Sequence, residues 1–452
     1  MTRRPRTKAD PIEREIELAF NPGAFIPDHA CFSFVSDLEG VAAKIAKLIS
    51  SEPARAAALY ETFLAGCYEK AEELDDSSGS LGQFVHELCC GWVKARQAES
   101  ADPDETASRL LGWMDDDPYG FCYDLERDAA KVFHKAGLAA FVKQVRARFD
   151  SAAAATLKAD GALGDRPEQL RRRWGEALRA LYVAQKDVRS YVAMAEDTGM
   201  TPDDCHVIAT LLVARRKPDQ ALEWVERGSV LDKKTPHGSM ASHDLAKLKR
   251  ELLTKLGRSN EALAAAWADY CEHPSKYTYD DLMKFVPKAE QRTWHEKAIE
   301  AGRGANIQYR LELLLETKEM DRLADLVRHT KDQALEGLSH YATEPVAKKL
   351  EKAHPDLAAR LWRVQGMRIV NAKKSKYYDA ALSNFESARR CFERAGLVAE
   401  WEKTVSRVRA DHRRKTGFMS GFEGLVAGSG ACGAPSFLER AKARWAARQR
   451  RE

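Results

Sequence analysis

Long apolar runs, strand-like alternation and nucleophile motifs are what this chain conspicuously lacks. Its longest apolar stretches, such as Ala262 to Ala268, are short and alanine-rich. None approaches the ~18 uninterrupted apolar residues of a membrane span, so no membrane partner is expected. The start, MTRRPRTKADPIEREIELAF, has no apolar run behind its basic residues, and no secretory leader is read there. The 9 cysteines are odd in number and scattered, which suits buried, reduced thiols in a cytoplasmic protein better than a disulfide framework. No Asn-Gly or Asp-Gly turn joins alternating runs, and FSFV at Phe32–Val35 is the nearest approach to a strand. GxSxG, GxxxxGK[ST] and HExxH are all missing. GSGACG at Gly428–Gly433 matches GxGxxG in form, but no strand precedes it to build a dinucleotide site. The expectation is a protein that is not an enzyme, with no catalytic residues and no cofactor.

What is present is helix, almost continuously. Leu38, Val41, Ile45 and Leu48 fall at helical spacing behind Asp37, which is read as an N-cap. Pro53 and Pro103 stand where helices begin. DDSSGSLG (Asp75–Gly82) and DDDPYG (Asp115–Gly120) punctuate strongly, and turns such as RKPD, LGRSN and ERAGL recur to the C-terminus. With 452 residues, 44% hydrophobic and 31% charged, the chain has the apolar surface for folded domains.

Three hairpins share a plan. KPDQALEWVERG (Lys217–Gly228), GRSNEALAAAWADY (Gly257–Tyr270) and YYDAALSNFESARRCFE (Tyr377–Glu393) each put Ala-Leu after a polar turn, with Trp224, Trp267 or Phe385 following. A small residue lets helices approach and an aromatic fills the groove between them. Ala221, Ala262 and Ala381 are unevenly spaced, so the array is degenerate. The fold class is all-α, a helical-hairpin solenoid of tetratricopeptide (TPR)- or HEAT-like type. Its expected parts are an N-terminal arm (1–36), an acidic helical domain (37–150), an Ala/Gly-rich linker (151–167), a hairpin array (168–416) and a flexible Gly-rich tail ending in a basic helix (417–452).

Two stretches carry a resemblance to a known group. SSGSLGQFVHELCCGWVKA with PDETASRLLGWMDDDPYGFCYDLERDAAKVFHKAGLAAF, and later YYDAALSNFESARRCFERAGLVAEWEKTVSRVRADHRRKTGFM, resemble the helical region that follows the SWIM zinc finger in bacterial SWIM-family proteins, whose function is poorly defined. The resemblance implies an all-helical fold from about Asp37 to Lys415. The finger itself requires Cys-x-Cys followed by Cys-x-His, and this sequence has neither, so the finger's role is not carried over.

Charge is polarised. Residues 51–130 hold 6 Lys+Arg against 18 Asp+Glu, and residues 361–452 hold 20 against 9. Within the basic end, Trp401, Val405, Val408 and His412 share one helical face, and Lys403, Arg407, Arg409, Arg413, Arg414 and Lys415 spread over the others. That is the candidate basic surface, for phosphate or for an acidic protein. Two further clusters have bland readings that outweigh chemistry. His86, Cys89 and Cys90 supply too few metal ligands without a second pair such as His29 and Cys31, and cysteines on a helix flanked by Leu88 and Trp92 suit a core. Asp115, Asp116 and Asp117 lack the spaced ligands of a calcium loop and suit the first turn of the next helix. No metal site is expected. The function read from these features is a non-catalytic scaffold of stacked hairpins for a protein or peptide partner; the alternative is a nucleic-acid-associated accessory protein acting through the basic region.

Overall fold

Prolines and short polar side chains decide where many of the helices start. In the computed structural model, which describes residues 10–158, 166–234 and 238–428, proline occupies the first turn of Pro11–Phe20, Pro53–Lys70, Pro103–Asp115, Pro202–Ala214, Pro218–Asp232 and Pro355–Asn371. Its missing N–H is harmless there, because first-turn donors have no intrahelical partner. Asp10 and Asp102 accept from the backbone two residues on, and Thr201 and Asp204 form a reciprocal capping box. Among the described residues there are 23 α-helices, and the nearest thing to a sheet is one isolated parallel bridge between Ile26 and Leu74.

The chain divides into two compact units, Met1–Gly257 and Arg258–Glu452. In each, helices pack chiefly on their sequence neighbours. The strongest pairings in the first unit are Pro53–Lys70 on Ser80–Ala98, Lys135–Lys158 on Arg166–Gln185, and Pro202–Ala214 on Pro218–Asp232. In the second it is Pro355–Asn371 on Tyr378–Arg394. This is the all-α helical-hairpin array expected from the sequence. The first unit is centred on Phe63, with Phe20 at 5.4 Å and Phe84 at 5.2 Å, both edge-on. The second holds Phe385 between Phe418 at 6.0 Å and Phe422 at 5.2 Å. Each such ring, fully buried, contributes about 1.5–3 kcal/mol relative to exposure.

Several expected boundaries are corrected. Residues 1–36 are not simply an arm: Pro11–Phe20 and Asp28–Leu48 are helices, and Ile16, Phe20, Cys31, Phe34 and Val35 are buried. Asp37 is therefore mid-helix and FSFV is helical, because Pro27 and the acidic Asp28 open the helix nine residues earlier. The alanines after Ser151 extend the Lys135–Lys158 helix instead of starting a linker, as the best helix former should; residues 159–165 lie outside the described set. Residues 417–426 are not part of a flexible tail. Thr416–Val426 is a helix whose Phe418 and Phe422 are wholly buried, and apolar burial there overrides the glycines. Residues 429–452, which hold GSGACG beyond Gly428 and the terminal basic segment, lie outside the described residues.

Candidate functional site

On the Val398–His412 helix, Trp401, Val405, Val408 and His412 are buried, while Lys403, Arg407 and Arg409, and Arg413 and Arg414 in the turn that follows, are exposed. The cations are mostly neutralised. Lys403 pairs with Glu400 at 2.7 Å and Arg407 with Asp411 at 3.5 Å. Arg409 grips Glu423 through both Nε and a terminal nitrogen, at 2.9 and 2.6 Å. That grip holds Glu423 below the ordinary carboxylate range. Lys415 is half-buried and donates to the Val370 carbonyl; desolvation, then Lys373, lowers its pKa. Arg413 and Arg414 are left without a carboxylate among the described residues.

The other sequence candidates disperse. His86 Nδ1 lies 3.0 Å from Asp128 Oδ2, while Cys89 points inward toward Cys67 and Cys122. A hydrogen bond to Cys122 and burial raise the Cys89 thiol, and burial raises that of Cys67; protonated thiols are poor ligands. Cys90 is half-buried, Cys31 is buried with Sγ 3.5 Å from Asp76, and His29 is exposed. No group of three or more His, Cys, Asp or Glu side chains converges among the described residues. The aspartate run does not cap the following helix, as its bland reading had it. Asp115 pairs with Arg148 at 2.7 Å, and Asp117 accepts from the Cys122 backbone at 2.7 Å and from the Tyr68 hydroxyl at 3.2 Å, closing the intervening turn.

A site that the sequence did not disclose lies in the second unit. Helices His340–Leu350, Pro355–Asn371 and Tyr378–Arg394 enclose a groove of about 520 Å³, lined by Tyr341, Gln365, Arg368, Lys374, Tyr377 and Asn384 among others. Tyr341 is 80% and Tyr377 46% exposed. Gln365 is 6% exposed, and its amide Nε2 has no hydrogen-bond partner among the described residues. Such buried donors are rare and costly in native proteins. Glu344 also lines the groove, but Lys348 engages it at 2.7 Å. Arg368 and Lys374 pair with no carboxylate among the described residues, and Lys373 and Lys376 flank Lys374 in sequence. The one sequence signal was a glutamine within the apolar stripe of Leu361, Trp362, Val364 and Met367.

The larger trough of the first unit, about 800 Å³, is lined by Ala42, Ala43, Ala46 and Gly91 together with the charged Glu39, Glu87 and Lys94. No helix of the described residues is long and apolar enough to cross a membrane.

A family of unknown function (DUF6880) matches residues 6–420. No curated protein matches the chain significantly. Among solved structures it is similar to "Structure of Naa15/Naa10 bound to HypK-THB", at 12% identity and a TM-score of 0.30, over 89% of this chain and 64% of that one. It is also similar to "Circular tandem repeat protein with novel repeat topology and enhanced subunit contact surfaces", at 12% identity and a TM-score of 0.18, over 92% and 96% of the two chains.

Proposed function

We propose that this chain, which belongs to the DUF6880 family, is a non-catalytic interaction scaffold that takes a protein or peptide partner on its stacked helical hairpins. The observation that carries this reading is the groove of the second unit, where exposed tyrosines surround a buried amide that lacks a partner. Exposed aromatic side chains gathered at a pocket are what interfaces use as anchors. The likeness to the helical region of SWIM proteins suits the same role, since hairpin arrays offer surfaces and the finger motif is missing.

The rival reading, nucleic-acid association, rests on Arg413 and Arg414 and is weakened by the carboxylate partners of Lys403, Arg407 and Arg409. The two readings separate experimentally. Affinity capture from host cells, treated with nuclease and quantified by mass spectrometry, should recover a protein that a Tyr341→Ala/Tyr377→Ala double variant loses. An Arg407→Glu/Arg413→Glu/Arg414→Glu variant should recover it unchanged. Tight DNA or RNA binding at physiological salt, falling steeply as salt rises and lost in the triple variant, would reverse the choice.

A further inference from the structure

We infer that the Tyr341–Tyr377 groove receives an acidic segment of a partner protein, with a side-chain or terminal carboxylate seated on Gln365, Arg368 and Lys374. This rests on the scaffold reading and adds the chemistry of the partner. The argument begins at the groove floor. Gln365 is more than nine-tenths buried and lines the cavity, and its Nε2 donor is unmet. A buried N–H requires an acceptor oxygen, and an ionised acceptor makes the strongest such bond.

Charge selects among acceptors. Arg368 stands one turn beyond Gln365 on the same helix, and Lys374 enters from the following loop. The lining carboxylate, Glu344, is already held by Lys348. Lys373 and Lys376 are exposed beside Lys374, and Lys376 sits 4.9 Å over the Tyr377 ring. The groove is therefore net cationic, with one neutral donor at depth.

The walls select the rest of the ligand. Tyr341, Tyr377 and Ile369 give apolar surface for a neighbouring aromatic or aliphatic side chain, and Asn384 offers an amide to a peptide backbone. A nucleic acid fits less well. It would need a track of unpaired cations along its phosphates, whereas Lys403, Arg407 and Arg409 of the Val398–His412 helix are paired.

The full chain, a fluorescein-labelled peptide with the core Glu-Glu-Phe-Glu-Glu, and fluorescence anisotropy make the test. Its Gln-Gln-Phe-Gln-Gln and Lys-Lys-Phe-Lys-Lys counterparts and a labelled twelve-nucleotide oligothymidylate serve as competitors of different class. The acidic peptide should bind at least about tenfold more tightly than each. Gln365→Leu and Tyr341→Ala should each weaken it about tenfold. Arg368→Glu/Lys374→Glu, at positions that are not fully buried, should abolish it and admit the lysine peptide instead. Gln365→Leu should melt no earlier than the wild type, because it removes an unmet donor; early melting would make Gln365 structural and overturn the assignment. Equal binding of the Glu and Gln peptides, or tighter binding of the oligonucleotide, would overturn it as well. So would a dimer in sedimentation that Tyr341→Ala dissolves, which would give the groove to a second copy. If no acidic peptide binds while Tyr341-dependent capture of a host protein persists, the charge assignment falls and the scaffold reading stands. Loss of both removes both.

Discussion

His412 is buried, and neither of its ring nitrogens has a hydrogen-bond partner among the described residues. Desolvation, followed by Lys415, lowers its pKa from the ordinary 6.5; Arg407 acts in the same direction, Asp411 and Glu336 against it. The unfolded chain then binds a proton that the folded one refuses. The histidine's share of stability is present above the ordinary value and is lost as pH falls from there through the lower folded value. Melting temperatures taken from about pH 8 down to about pH 5 should fall on the acid side more for the wild type than for His412→Leu. Parallel curves would remove His412 as the cause. At this scale the sequence was legible in sidedness and silent on partners. It put His412 inward and Arg409 outward, but Glu423, which holds Arg409, lies 14 residues further on and on another helix. Gln365 was visible only as a polar letter in an apolar stripe, and nothing local says whether such a residue is satisfied.

Helix pairing turns on how closely two backbones approach. Gly366 faces Phe385 so tightly that a methyl group there would meet the ring carbon Cε2 at 2.8 Å. The ring has little room to yield between Phe418 and Phe422. Gly366→Ala should gain up to about 1 kcal/mol of helix propensity and lose more to overpacking, for a net destabilisation of about 1–3 kcal/mol. Gly112, whose added methyl would meet nothing within 4 Å, is the control: Gly112→Ala should stabilise by about 0.5–1 kcal/mol. Urea melts of both variants decide it, and a Phe385→Leu background should relieve the first and leave the second untouched. The shared hairpin plan was half right. Ala221, Ala262 and Ala381 are fully buried and Phe385 fills its groove. Trp224 and Trp267 stay half-exposed, with Arg227 and Lys297 over their indole rings at 4.7 and 4.2 Å. Helix existence was readable throughout from apolar spacing. Starts were missed where tertiary burial, as at Phe34 and Phe418, outweighs the local signal.

Across the whole chain, the division after Gly257 separates two cores. Native-state hydrogen exchange should accordingly show two blocks with different opening free energies, meeting near Gly257, whose left-handed φ of 74° closes the turn before Ser259–Glu272. One cooperative block spanning that turn would count against the division. The sequence placed its boundary at 151–167 because composition changes there; composition reports exposure and flexibility, whereas a division between cores follows from which helices share apolar contacts. The unmet amide of Gln365 has a consequence at this scale too. A laboratory screen that rewards heat resistance alone, with no partner in the tube, should keep returning apolar replacements at position 365. Those survivors would outlast the natural protein and be deaf to whatever it listens for, so a map of stabilising mutations becomes a way of finding the receptor face.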